Sequence, residues 1–285
     1  MDTPYTVLEP LEPGIARVLA PNPSAFTFTG TQTYLVGDNE VAVIDPGPDL
    51  PEHLAALTAA IGGRSVAGIL CTHTHRDHSP AARPLAQSTG APIVGCAPLA
   101  LDSVGPRADA AFDRDYAPDR VLKDGEGIAV DGRRLTAVAT PGHTSNHLCF
   151  ADEPSGALFT GDHVMGWSTT VVFPPDGDMA DYLASLDKLQ QRADRIYYPA
   201  HGPPVTNPRQ HVRGFIGHRR QRERQVLKLL AGRGRTIPEI VAAAYPGLDP
   251  RLVTAAGGSV LAHLLDLERR GMVGTDGETW KKRPS

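Results

Sequence analysis

The sequence has little cysteine and no long apolar run. Its three cysteines, Cys71, Cys96 and Cys149, are odd in number and lie in or beside apolar stretches, which argues against a disulfide framework. No window approaches the roughly 18 consecutive apolar residues of a membrane span, and the first residues lack the features of a signal peptide. We therefore expect reduced core thiols, no membrane association and a cytoplasmic protein.

Extremes of composition are absent as well. Apolar residues make up 41% and charged residues 21% of the 285-residue chain, which is ordinary globular usage and excludes disordered and fibrous classes. A chain of this length can bury one large core and carry a small appended module. We therefore expect one main domain followed by a smaller one.

The net charge of −4 hides an uneven distribution. Residues 1–208 carry 13 Lys and Arg against 25 Asp and Glu, a balance of −12, whereas residues 209–285 carry 15 against 7, a balance of +8. This asymmetry predicts a catalytic domain over residues 1–208 and a basic domain that binds anions over residues 209–285. For the run from Arg219 to Arg224, a solvated basic helix is the alternative interpretation.

Two series of short apolar runs predict two sheets. The runs 33–36 and 41–44 are joined by Gly-Asp-Asn, a hairpin signal, and a buried run leads directly to His73 and His75. In the first half the pattern predicts helices over 51–61 and 81–88, strands over 66–71 and around Ile93, and a loop over 102–124. In the second half it predicts strands over 128–130, 135–139, 148–151, 157–160 and 196–198, and a helix over 179–192.

Strands with helices outside both series predict a four-layer αββα sandwich, with functional residues on loops at one edge of the paired sheets. Beyond it, a long polar helix over 209–230 leads to a separate module. Two helices over 237–244 and 250–269, the second weakened by Gly257 and Gly258, precede a terminal hairpin. That order is similar to a winged-helix module, whose second helix commonly faces nucleic acid.

The strongest chemical signal is an HxHxDH string made of His73, His75, Asp77 and His78. Three histidines and a carboxylate within six residues are hard to explain structurally and are typical of a metal site. Alternate residues of an extended segment point the same way, so His73 and His75 can bind one ion while Asp77 and His78 bind another.

Four ligands are too few for two ions with open catalytic positions, so further ligands are expected at other strand ends. Three candidates follow predicted strands, each with a glycine beside it that allows close backbone approach. They are His143 in PGHT, Asp162 in GD and His201 in HG.

The motif series HxHxDH, PGHT, GD and HG, in this order, resembles that of the metallo-β-lactamase superfamily. With Gly30-Thr31-Gln32-Thr33-Tyr34-Leu35-Val36 ahead of it and a winged-helix tail behind it, the chain is most similar to the β-lactamase-like protein 2 family. The resemblance covers nearly the whole chain. It implies the αββα metallo-β-lactamase sandwich and a hydrolase.

The resemblance also implies roles for individual residues. The first zinc ion would bind His73, His75 and His143; the second would bind Asp77, His78 and His201; Asp162 would bridge both. Asp45 and His147 match positions that support the ligands without binding metal, although an Asp in a turn before Pro-Gly explains Asp45 equally well. His53, His163, His211, His218 and His263 have no motif support and are predicted to be surface or packing residues.

A hydroxide could bridge two divalent ions that lie roughly 3.5–4 Å apart, and the ions could polarise the bond under attack. The ligand types favour zinc, although manganese or iron would be tolerated. Asp77 is predicted to be the catalytic residue, which orients the hydroxide and accepts its proton.

The substrate stays open at this point. The β-lactamase-like protein 2 resemblance and the basic tail favour cleavage of single-stranded RNA, whereas the acidic body would repel a polyanion. A small thioester or lactone hydrolase, similar to hydroxyacylglutathione hydrolase, is the alternative. A nucleic-acid-binding protein with a structural metal site is a second alternative, disfavoured because structural sites use four closed ligands. For the tail, packing or dimerisation is a further interpretation, so a homodimer is also a predicted partner state.

Overall fold

The computed structural model describes residues 4–99 and 112–284, and the first half of that chain forms a seven-stranded sheet. Its strands pair in chain order: the first three pairings are antiparallel and the next three are parallel. The strands are β1 (Leu8–Glu12), β2 (Ile15–Leu19), β3 (Gln32–Val36), β4 (Glu40–Ile44), β5 (Ser65–Cys71), β6 (Ile93–Gly95) and β7 (Arg120–Val121).

A second, five-stranded sheet packs against the first. Its order is β12-β11-β10-β9-β8, with only β11 and β12 parallel. Its strands are β8 (Gly127–Val130), β9 (Arg133–Ala139), β10 (Leu148–Asp152), β11 (Ala157–Gly161) and β12 (Ile196–Pro199). Because side chains alternate along a strand, Phe150 and Phe159 join the core between the sheets, while Cys149 and Leu158 face the other side.

Helices cover the outer faces of both sheets. On the first sheet lie α1 (Pro51–Ile61) and α2 (Ala82–Thr89), whose Leu57 and Leu85 belong to the same hydrophobic core as that sheet. On the second lie α3 (Met179–Gln190) and α4 (Pro208–Leu229), which bury Leu186 and Phe215 against that sheet's outer face. The predicted four-layer sandwich is therefore confirmed.

The element predictions were correct for most of the chain, and the sandwich differs from them at its first two strands and at residues 120–121. The first two strands, β1 and β2, carry no clean alternation and were not predicted. Within the predicted loop 102–124, residues 120–121 form β7, an exposed edge strand whose pairing with β6 no local pattern reveals. Residues 102–111 of that loop lie outside the described residues. The cysteines are free and buried, as predicted.

The C-terminal residues form a winged-helix module, as predicted. It comprises α5 (Ile237–Ala244), a single 3₁₀ turn at Pro250–Leu252, α6 (Val253–Arg269) and the antiparallel pair β13 (Val273–Thr275) and β14 (Trp280–Lys282). A reciprocal pair of hydrogen bonds between Thr236 and Glu239 caps α5. The predicted helix over 250–269 was thus too long by one turn, because the first residues adopt the tighter 3₁₀ geometry.

The module packs tightly on the sandwich. A Cβ atom at Gly258 would lie 2.1 Å from Cδ2 of Phe173, so α6 needs glycine there to approach this loop. Arg269 also forms an ion pair with Asp178 at 2.8 Å. Because α4 contributes Phe215 to the sandwich and Val226 to the module's core, the boundary after residue 208 stays a prediction.

Within residues 4–99 and 112–284, no helix combines the length and the apolar character needed to cross a membrane.

Candidate metal centre

Loops that follow four strands bring all seven predicted ligands to one edge of the sandwich. The HxHxDH string follows β5, and the other three ligands follow β9, β11 and β12. Six of the seven side chains are buried, and Asp77 is partly exposed. The seven fall into two groups, His73, His75, His143 and Asp162 in one and Asp77, His78 and His201 in the other, with ligand atoms in each group within 4.8 Å of one another.

In the first group, imidazole nitrogens converge at short distances. His75 Nδ1 lies 2.9 Å from His73 Nε2 and 3.2 Å from His143 Nε2. Asp162 Oδ2 lies 3.6 Å from His143 Nε2. Three imidazole nitrogens and one carboxylate oxygen are ligand types that suit a divalent transition metal.

The second group shares Asp162 with the first. Its other oxygen, Oδ1, lies 3.2 Å from His201 Nε2 and 3.5 Å from His78 Nε2. Asp77 Oδ2 lies 3.1 Å from the same nitrogen of His201 and 3.3 Å from that of His78. Asp162 therefore presents one oxygen to each group, the arrangement that a bridging carboxylate requires.

Backbone carbonyls orient two of the imidazoles. His143 Nδ1 donates to Val171 O at 2.7 Å, and His201 Nδ1 donates to Gly30 O at 3.1 Å. Because a carbonyl accepts only from a protonated nitrogen, Nε2 of a neutral ring keeps its lone pair for the centre. Gly30 is the first residue of the motif over residues 30–36, so the backbone at the start of that motif contacts His201.

Asp45 holds His78 in the same way. Its Oδ2 lies 3.0 Å from His78 Nδ1, and its two oxygens accept from the backbone N–H and the hydroxyl of Thr72, both at 2.8 Å. Its φ of +48° is a left-handed conformation that Asp tolerates better than most residues. Asp45 thus contacts both a predicted ligand and the loop that carries the HxHxDH string, which a simple turn residue would not do.

His147 contacts the backbone of Asp162. Its Nδ1 contacts Thr140 Oγ1 at 2.9 Å, and its Nε2 accepts from the backbone N–H of Asp162 at 3.2 Å. A Cβ atom at Gly161, where φ is +49°, would lie 2.7 Å from His147 Nε2. Gly161 is therefore required both for its conformation and for close approach.

The electrostatics of the cluster fit a bound cation. Burial alone would raise the pKa of Asp162, but the His201 and His78 rings lower that pKa well below its ordinary value. Burial likewise lowers the pKa of His201, yet Asp162 and Asp77 raise it to about 10. Moreover, Asp162 Oδ1 and His78 Nε2 are both buried and lie 3.5 Å apart, too far for a good hydrogen bond between them. The carboxylates thus favour positive charge in this cluster, and the residues present fit two divalent ions.

The five other histidines lie outside both ligand groups. His53, His163 and His263 are buried, and His211 contacts Met165 O at 3.0 Å. His218 is partly buried and lines the cavity at the centre, and its role as an ordinary surface or packing residue stays a prediction.

This cavity, of about 600 Å³, is formed by both domains. From the sandwich, Asp77, His143 and His201 line it together with the loop after Asp162. From α4 and the winged-helix module it is lined by His218, Arg219, Arg222, Tyr245, Leu248, Leu252, Ala255, Ala256 and Ser259. Sequence reasoning missed this wall, because the periodicity of α4 does not say which of its faces meets the centre.

An αββα sandwich with a His and Asp cluster at one sheet edge defines a class of metal-binding hydrolases. The chain belongs to the metallo-beta-lactamase superfamily, whose model matches residues 26–201. Residues 236–280 match the beta-lactamase associated winged helix domain. Both the resemblance and the fold predicted from the motifs are confirmed.

Curated relatives and solved structures are similar to this chain over most of its length. An atrochrysone carboxyl ACP thioesterase of Cryptosporiopsis sp. is 32% identical over 231 residues, which are 80% of this chain and 66% of the relative. A beta-lactamase-like protein 2 homolog of Caenorhabditis elegans is 32% identical over 227 residues, 78% of this chain and 73% of the relative. A solved metallo-beta-lactamase family protein of Thermus thermophilus superposes with a TM-score of 0.77 at 25% identity, covering 95% of this chain and 99% of that one.

Proposed function

We propose that this protein is a binuclear, zinc-dependent hydrolase that cleaves a thioester or ester bond of a small acyl substrate. The observation that carries the proposal is the cavity, because it joins the seven-residue centre to a wall supplied by the winged-helix module. A cavity of about 600 Å³ has the size of a small-molecule site. Much of its lining is apolar, from Ala25, Phe26, Met165, Trp167, Val171, Leu248, Leu252, Ala255 and Ala256.

When bound, two zinc ions would supply Lewis acidity and lower the pKa of the attacking water. The chain's own residues position the reaction. Asp77 belongs to the second ligand group and also lines the cavity, with Thr31 Oγ1 3.5 Å from its Oδ2. We assign it the orientation of the attacking water and the acceptance of its proton. His143 and His201, fixed by carbonyls, hold their nitrogens toward the centre from opposite groups.

Cleavage of single-stranded RNA is the second candidate, since α4 exposes Arg213, Arg220 and Arg224 to solvent. Two other arginines of this helix do not join that surface. Arg219 is buried and donates to Thr170 O, and Arg222 donates to Ala244 O at 2.7 Å. The basic run is thus divided between the cavity wall and the surface, which weakens the case for a continuous phosphate-binding stripe.

A substrate panel tests the proposal. Zinc-loaded protein would be assayed with an uncharged acyl thioester, a lactone, a phosphodiester and single-stranded RNA. We expect thioester or ester hydrolysis that stops when the metal is chelated and resumes when zinc is restored. Cleavage of RNA without hydrolysis of any acyl substrate would establish the second candidate instead. Metal-dependent binding of RNA without turnover of any substrate would favour the non-catalytic interpretation.

A further inference from the structure

Three nitrogen-bearing side chains of α4 face the catalytic cavity together. His218 and Arg222 are one turn apart, and Arg219 lies beside them on the same face of the helix. All three line the cavity that also contains Asp77 and His201. The metal centre and this cluster are therefore parts of one site.

Each member of the cluster keeps an unused buried nitrogen. Nε of Arg219, Nε of Arg222 and Nδ1 of His218 have no hydrogen-bond partner among the described residues. Arg222 uses Nη1 to donate to Gln225 Oε1 and to Ala244 O, both at 2.7 Å. Its guanidinium carbon lies 4.1 Å from the centroid of the Tyr245 ring, which fixes the plane of the group. No hydrogen bond from its Nε and Nη2 edge to a described residue is seen, and this edge offers two parallel donors, the geometry that suits a carboxylate.

The two guanidinium groups also lack a protein counter-ion. In the described part of the chain, no Asp or Glu forms an ion pair with Arg219 or Arg222. Glu223, the acidic residue of α4, pairs with Arg270 instead. Positive charges that are removed from water without a partner are costly, so an anionic ligand would stabilise this wall. The pKa of His218 is lowered to about 4 by burial and by the two arginines, so its ring is neutral and adds a donor without adding charge.

We propose that Arg219, Arg222 and His218 bind a carboxylate carried by the acyl part of the substrate. The proposal rests on the proposed acyl hydrolase and narrows its substrate class to thioesters or esters of dicarboxylic acids. The reacting carbonyl lies at the metal centre beside Asp77. The free carboxylate at the other end of the acyl chain lies at the wall formed by α4. Arg222 is then a specificity-determining residue, whereas the exposed arginines of the same helix are not.

Two thioesters of equal length test this assignment. Glutaryl and pentanoyl N-acetylcysteamine thioesters differ only in the terminal carboxylate, and their leaving group carries no phosphate. We expect kcat/KM to favour the glutaryl substrate by about tenfold or more. In Arg222→Gln, this ratio should fall at least about tenfold, mainly through KM. Arg222→Lys should recover only part of it, since lysine keeps the charge but not the paired donors. The matched control is Lys228→Gln, an exposed cation of the same helix, which should leave the ratio unchanged.

Binding of the free acids tests the site even if no thioester is hydrolysed. Each free acid has a carboxylate that the metals can bind, so tighter calorimetric binding of glutarate reports its additional carboxylate. Arg222→Gln should remove that advantage, with thermal melting used to verify folding. If Arg222→Gln keeps the tighter binding of glutarate, or if glutarate binds no tighter than pentanoate, the carboxylate assignment is wrong. The proposal of acyl hydrolysis is then unaffected. If inorganic phosphate binds tighter than glutarate and loses affinity in the same variant, the cluster is a phosphate site and the carboxylate assignment is wrong. If glutarate binds as expected but no thioester or ester is hydrolysed, the proposed reaction fails while the anion site stands.

Discussion

Asp45 Oδ2 lies 3.0 Å from Nδ1 of His78, although the two residues are 33 positions apart in the chain. We predict that Asp45→Asn weakens metal binding, because an amide nitrogen would replace the oxygen that accepts from His78. Asn tolerates the left-handed φ, so the backbone should be retained. Supporting contacts of this kind are worth about 10–100-fold in metal affinity. Competition with a chelator measures the change, and an affinity equal to wild type would return Asp45 to the role of a turn residue.

Purified protein should carry close to two metal ions per chain, chiefly zinc. The reason is that Asp162 presents one oxygen to each of two ligand groups. Elemental analysis of protein prepared without chelators measures this number. A single ion that leaves Asp77, His78 and His201 unengaged would contradict the binuclear assignment.

Asp77→Ala should abolish turnover while the protein stays folded. In the proposed mechanism its carboxylate serves both the second ligand group and the attacking water, and its partial exposure means that little packing is lost. The control is Asp187→Ala, which removes an exposed carboxylate of α3 and should keep wild-type kcat. His218→Ala is no suitable control, because that side chain lines the cavity. Equal losses in the Asp77 and Asp187 variants would mean that the site is misplaced.

Gly258→Ala should lower the free energy of unfolding by about 1–3 kcal/mol, the usual cost of overpacking. The added Cβ would lie 2.1 Å from Phe173, so the loop or α6 must move. The neighbouring glycine provides the control. At Gly257 a Cβ would meet Ile237 at 3.6 Å, an ordinary contact, so Gly257→Ala should be neutral or stabilising in this helix. Denaturant unfolding measures both, and equal effects would disprove the close approach.

Protonation of His53 should lower the free energy of unfolding in mild acid. Burial lowers its pKa from 6.5 to about 4, and Thr33 Oγ1 and Pro46 O both lie 3.0 Å from its Nε2. Below pH 6.5 the unfolded chain takes up the proton first, so the stabilising contribution is lost as the pH falls toward 4. Relative to His53→Gln, wild type should lose up to about 1.4 kcal/mol per pH unit in this window. Unfolding curves at several pH values measure the difference, and a constant difference would contradict the prediction.

The sequence by itself determined which residues are the candidate ligands, because metal binding requires particular side chains, and HxHxDH, PGHT, GD and HG place them after strands. It also determined the two sheets and the winged-helix module, since strand and helix periodicities are local signals. Strands β1, β2 and β7 have weak sequence patterns and were not predicted, because their pairing depends on strands elsewhere in the chain.

Only the tertiary structure decided how these parts form one site. The helical period places Arg219 and Arg222 on one face and Arg220 and Arg224 on another, but no local signal tells which face is covered. The packing of α6 on Phe173 and of α4 on the second sheet places Arg219 and Arg222 in the cavity wall. The same long-range packing divides Asp162 between two ligand groups, because its neighbours come from strands far apart in the chain.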